Sequence, residues 1–196
     1  MGTYTDIRYN YNLPSGSGGG LTLLSTNTIT SGVSSSSFTS GIDSTYRTYI
    51  FKLINIHPAN DNVTFQVNFR DGSSAFDATK TTTAFNAYHS ESDSEASLGY
   101  RSADDVANGT GYHTLSHQAS NDNDASLSGI LHLFDPSDTT FVKHFVARIS
   151  GNNEDNHAQD NFSAGYIDQT SAIDGVDFKC SSGNIDSGII KMYGIV

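Results

Sequence analysis

This sequence predicts an all-β fold: an antiparallel two-sheet sandwich of the jelly-roll kind, carrying an extended N-terminal arm. Three observations point there. Segment after segment alternates apolar and polar residues with period two, clusters of Gly, Pro, Asn, Asp and Ser separate those segments, and helical signal is confined to one short stretch. A closed barrel is the alternative architecture.

Residues 1–20 stand apart from the rest. Tyr4, Ile7, Tyr9, Tyr11 and Leu13 fall in a segment without a clear period, which runs into the Gly/Ser tract from Ser15 to Gly20. By composition the tract is a flexible linker. The residues before it read either as a disordered terminus or as an assembly arm that orders on a neighbouring subunit, where tyrosines supply contact area at low entropic cost. The division expected is therefore an arm and linker over 1–20 and one β-sandwich domain over 21–196.

Strand signals follow in order. "LTLLSTNTI" comes first, then a turn-rich connection. "YRTYIFKLINIHP" is apolar on both faces, which suits a central strand stopped by Pro58. In "VTFQVNF", Val63, Phe65, Val67 and Phe69 share a core face, with Thr64, Gln66, Asn68 and Arg70 opposite. "TTTAFNAYH", "LSGILHLFDP", "FVKHFVARI" and "NFSAGYIDQ" continue the series. "IDGVDFKC" places Val176, Phe178 and Cys180 on one face. The closing "GIIKMYGIV" alternates Ile189, Lys191, Tyr193 and Ile195 with Ile190, Met192 and Gly194. The turn-forming "SSGNIDS" between the last two segments suggests a closing hairpin. The helical hint is "SADDVAN", residues 102–108, acidic at its start and stopped by Gly109.

Composition narrows the function classes. The 196 residues carry ten Lys and Arg against twenty-one Asp and Glu, a net charge of −11. Neither a nucleic-acid backbone nor an anionic membrane surface attracts such a chain, because both need clustered cations. No segment approaches the ~20 apolar residues of a membrane span, and the first residues lack the pattern of a signal peptide. The single cysteine, Cys180, excludes an internal disulfide framework and suits a small buried apolar side chain. A reducing cytoplasm is the compartment of synthesis this suggests.

Catalytic and metal-binding patterns are weak. His113 and His117 are four residues apart, but in strand or loop surroundings and without an HExxH motif. His132 and His144 fall opposite Leu131 and Phe145, where a half-exposed strand tolerates a polar residue. The acidic loops 121–124 and 152–160 lack EF-hand spacing, and Asn/Asp clusters more often satisfy their own backbone. The carboxylates of "HSESDSEAS" have no apolar neighbours to raise a pKa for glycoside chemistry. No nucleophile elbow or phosphate loop occurs. No catalytic residue, metal or cofactor is expected.

Three stretches carry a resemblance: "GIDSTYRTYIF", "LHLFDPSDTTFVKHF" and "SSGNIDSGIIKMYGI". Together with their surroundings over roughly 21–196, they resemble a family of structural proteins of tailed phages, especially marine ones that infect cyanobacteria. Members are described as virion structural or tail-fibre proteins, and no catalytic residues come with the pattern. The shared pieces are scaffold features. "FDPSDTTF" is a tight turn in which Pro136 fixes the chain and Asp135 and Asp138 can bond local amides.

The resemblance implies a virion protein assembled in the host cytoplasm, whose partners are other capsid or tail proteins. Lacking heptads or a shaft-forming repeat, one domain behind a short arm suits a capsid decoration protein better than a fibre. Such positions are symmetric, so a homo-oligomer such as a trimer is expected. A tail-fibre tip or adaptor, or a carbohydrate-binding adhesin, is the alternative. For the adhesin, Tyr88, Tyr100 and Tyr112 are the candidate glycan contacts.

Overall fold

The computed structural model describes residues 20–195. The arm residues Tyr4, Ile7, Tyr9, Tyr11 and Leu13 lie outside that range. Twelve strands form among the described residues, and no helix does: β1 (Thr22–Ile29), β2 (Ser36–Phe38), β3 (Thr48–Pro58), β4 (Val63–Arg70), β5 (Lys80–Ser90), β6 (Ala96–Tyr100), β7 (His113–Ala119), β8 (Leu127–Phe134), β9 (Lys143–Asn152), β10 (His157–Ile167), β11 (Gly175–Cys180) and β12 (Ile185–Ile195).

They make two antiparallel sheets, one of eight strands in the order β1-β12-β3-β8-β9-β10-β5-β6 and one of four in the order β2-β11-β4-β7. Setting aside β5, β6, β9 and β10 leaves eight framework strands. In chain order, the first, eighth, third and sixth of these form one sheet, and the second, seventh, fourth and fifth the other. That interleaving is the jelly roll. The four extra strands enter as two insertions, β5–β6 after β4 and β9–β10 after β8. They pair outward from β8 and double the width of the large sheet.

Alternation dictates most of this. In β4, Val63, Phe65, Val67 and Phe69 are all buried, while Thr64, Gln66 and Arg70 are half-buried. In β3, Tyr49, Phe51 and Leu53 enter the core, and the strand lies between β12 and β8, ending at Pro58. β12 buries Ile190, Met192 and Gly194 and leaves Ile189, Lys191, Tyr193 and Ile195 half-covered on the other face. The two sheets meet across a phenylalanine cluster. Phe178 of β11 stacks on Phe65 of β4 (6.0 Å), and also meets Phe51 of β3 (5.6 Å) and Phe38 of β2 (6.5 Å). At the other end of the core Phe69 packs on Phe145 of β9 at 5.1 Å. Cys180 is buried among apolar neighbours, which push its thiol up to about 11.

Four expectations need correcting. β11 and β12 are not a hairpin: they belong to different sheets, and "SSGNIDS" arches from one to the other, held where Val33 pairs with Ile185. Residues 102–108 form turns rather than a helix. The Thr82 amide donates to the Val106 carbonyl there, and the Thr82 hydroxyl accepts from the Val106 amide, so the segment is fastened to β5. Asn68 is buried instead of outward, because its side-chain amide donates to the carbonyls of Phe76 and Thr110 in overlying loops. In the 135–141 turn Asp138 does accept the amides of Thr140 and Phe141, both at 2.6 Å, whereas Asp135 pairs with Arg47.

Candidate functional site

The inner face of the large sheet is packed against the small one; among the described residues nothing covers its outer face, and that face is the candidate site. Antiparallel register carries side chains across it in continuous rows. One row runs Tyr193, Ile50, His132, Val146, Ala164 and Thr83 from β12 to β5. The next runs Lys191, Lys52, Ile130, Arg148, Phe162 and Phe85, and ends on Tyr100 of β6. A sheet face turned to water is ordinarily polar. This one exposes Phe85 (42%), Ile130 (39%), Val146 (43%), Tyr100 (59%) and Leu98 (71%).

A depression of about 340 Å³ lies at its centre, lined by Thr83, Phe85, Ile130, His132, Val146, Arg148, Phe162 and Ala164. Phe85 and Phe162 stack face to face, 4.7 Å apart and 6° from parallel. The Arg148 guanidinium lies 4.8 Å over the Phe162 ring, a cation–π contact. It also donates from Nε to both oxygens of Asp160, at 2.9 and 3.1 Å. These hydrogen bonds raise the Arg148 pKa further, and they hold its flat side chain against the aromatic floor. Burial pushes His132 below the usual histidine range, so it presents a neutral ring. A second depression of about 480 Å³ adjoins the first through Arg148 and adds Ser128, Ser150 and Asp160. Across the two rows three cations (Lys52, Lys191, Arg148) face two adjoining carboxylates, Asp160 beside Arg148 and Asp105 beside Tyr100, although the chain carries −11 overall. Chemically the face offers apolar and aromatic contact with sparse positive charge. That composition suits a macromolecular partner.

The tyrosines read as glycan contacts do not converge. Tyr100 lies on the outer face, its hydroxyl on Asp105. Tyr88 is three residues from Phe85 on β5 and so points to the opposite face, where its ring stacks on His157 at 5.0 Å. Tyr112 precedes β7, donates to Asp177 at 2.8 Å and carries the Lys179 ammonium 4.0 Å over its ring. Burial and then the Asp177 carboxylate push the Tyr112 hydroxyl far above its ordinary value, so that it stays a donor.

A polar seam lies inside the sandwich beneath β5, β7 and β10. Lys80 is fully buried and donates to the carbonyls of Ala78 and Gly111, both at 2.8 Å; burial lowers it to about 8. His113 is also fully buried. Its Nδ1 meets the Thr82 hydroxyl at 3.0 Å, and burial first, then nearby Lys80, lowers it to about 4. Burial would raise Asp104, but His117 (3.7 Å) and Arg101 (3.2 Å) more than offset it and hold it low. The space beside Asp104 is small, about 10 Å³. Among the described residues no group of three or more His, Cys, Asp or Glu side chains is placed to hold a metal ion.

Comparison of the chain with protein-family models finds no match, and comparison with curated proteins finds none.

Of the outer face, sequence reasoning singled out only His132 and His144, as polar residues that a half-exposed strand tolerates, and Tyr100, as a glycan contact. A signal was present. "GILHLF" and "FVARI" are apolar at consecutive positions, and a strand apolar on both faces needs cover on both.

Proposed function

We propose that this chain is a non-enzymatic structural protein of a tailed-phage virion, displayed on the particle surface as a capsid decoration protein. One observation carries the reading: a strongly acidic domain keeps a broad, apolar, aromatic face uncovered on its widened sheet. An isolated soluble domain gains nothing from such a face, whereas a subunit that docks on a lattice does. The resemblance over 21–196 supports the virion setting. The buried Lys80 and His113 of the polar seam are tied to carbonyls and a hydroxyl within the sandwich, which suits a packing role.

The test is imaging of particles assembled with wild-type chain and with the pair Val146→Asp and Phe162→Asp. Wild-type copies are expected as density on the capsid shell, at symmetric positions. The double variant is expected to remain folded, with a cooperative thermal melt, and to be lost from particles. Copies on the tail alone would move the reading to a fibre tip or adaptor. Undiminished incorporation of the variant would remove the face from the argument.

The stacked Phe85–Phe162 pair beside the Arg148–Asp160 ion pair favours the adhesin as the second reading. Aromatic floors with adjacent hydrogen-bonding groups hold sugar rings well. Glycan-array binding abolished by Phe162→Ser would support that reading.

A further inference from the structure

Of the four sheet edges among the described residues, three are blunted against pairing. β1 carries a bulge at Leu23/Ser25, β2 is three residues long, and β7 has two register shifts and a left-handed Gln118 (φ 50°). Natural edges are protected by such devices, or by lysine and proline. β6, with the sequence Ala-Ser-Leu-Gly-Tyr, has none of them: it pairs regularly with β5, contains no charge, and is exposed along its whole length. Ser90 donates to Glu95 and Arg101 to Ala84 at its two ends. Antiparallel alternation between those bonds turns the backbone groups of Ala96, Leu98 and Tyr100 away from β5, to the open side. Leu98 and Tyr100 lie on the apolar outer face, opposite Ala87 and Phe85.

We propose that β6 receives the N-terminal arm of a second copy of this chain as an added strand. The arm fits in pattern. Residues 1–20 as a whole show no clear period, but within 7–13 Ile7, Tyr9, Tyr11 and Leu13 occupy alternate positions, with Arg8, Asn10 and Asn12 between them. Paired to β6, it extends the outer face with four apolar side chains beside Leu98 and Tyr100.

Length decides which copy donates. The arm enters the sheet through β1, at the edge opposite β6. A strand placed beyond β6 lies eight spacings from β1, about 38 Å at ~4.8 Å each. From Leu13 to Leu21 the chain spans at most about 27 Å. A chain cannot fill its own edge, so the contact runs head to tail between copies, the kind that closes into rings.

Glu91, Asp93 and Glu95 flank one end of β6, and Asp105 and the Arg101–Asp104 ion pair the other, so a second β6 would bring net negative charge to an edge that is already acidic. The arm's Asp6 and Arg8 cancel, so it brings no net charge. The inference goes beyond the virion reading and does not need it, since only copies of this chain take part.

Sedimentation velocity at tens of micromolar tests it with full-length variants whose folding is checked by thermal melting. Tyr9→Asp with Tyr11→Asp disables the arm. Leu98→Pro disables the edge by removing an outward N–H, and Leu98→Lys is the second edge variant should the proline unfold the hairpin. Wild type is expected to self-associate, and each variant alone to do so at least ~tenfold more weakly. Mixing arm and edge variants is expected to restore a 1:1 dimer, because each retains the half the other lacks. A monomeric wild type, an arm variant that associates like wild type, or a mixture that stays monomeric would overturn the proposal.

Discussion

His113 shows what one buried base does to the whole fold. It titrates near 4 in the folded chain and near its ordinary ~6.5 when unfolded. Between those values the unfolded chain binds a proton that the fold refuses, so stability is full above about pH 6.5 and declines as pH falls towards 4. At pH 5 the loss from this residue is about 2 kcal/mol. Lys80 has the same sign in a higher window: it releases its proton near 8 in the fold, so its burial becomes less costly as pH rises from there towards its ordinary 10.5. Urea unfolding at pH 7 and pH 5 checks the first claim. His113→Gln, which can keep a bond to Thr82, is expected to shrink the difference between the two midpoints. An undiminished acid loss in that variant would assign the sensitivity to other groups.

At the scale of elements, the strands that could be read from sequence are those whose alternation coincides with one buried face, as in β4 and β12. β6 was not legible, since Ala-Ser-Leu-Gly-Tyr is short, follows a solvated Ser/Glu turn and is covered on neither side. β7 was ambiguous because its buried set includes His113, Thr114 and Ser116, polar residues whose bonds run to other strands: His113 Nδ1 to Thr82, the Thr114 carbonyl to Ser163 and the Ser116 hydroxyl to Asn161. Sheet membership was beyond local reading altogether. Nothing within "IDGVDFKC" or "GIIKMYGIV" says that one pairs with β4 and the other with β3, because those partners are about a hundred residues away or more.

Two substitutions test how these elements are joined. Phe178 touches aromatic rings on three other strands, so Phe178→Ala is expected to cost about 3–5 kcal/mol in chemical unfolding. Gly194 in β12 lies under the Tyr46 ring, where an added Cβ would run into the ring carbons. Gly194→Val should therefore expel that ring and destabilise by at least ~2 kcal/mol. In the Tyr46→Ala background the same change is expected to cost much less, since the clashing partner has gone. Equal costs in both backgrounds would mean that the strain lies in β12 itself.

At the scale of the molecule, the two insertions, the open face and the charge act together. The jelly-roll framework alone would give a four-stranded sheet covered by its partner. β9, β10, β5 and β6 widen it, and most of the outer face lies on them and on β8. The same widening carries the unprotected edge away from β1, and thereby makes the arm's reach too short for its own chain. Opposing association is a charge of −11 on every copy. At ~0.01 M salt the screening length is about 30 Å, so copies repel across their full width; at ~0.15 M it is about 8 Å, and only charges at the contact still interact. The contact argued for is apolar and hydrogen-bonded, with a donor segment of no net charge. Self-association should therefore strengthen as salt rises from ~0.01 to ~0.15 M, read as a shift of the sedimentation distribution towards larger species. A contact built instead on Lys52, Lys191 and Arg148 gripping acidic loops of a neighbour would weaken over the same range. The sign of the salt dependence thus separates strand addition from charge pairing.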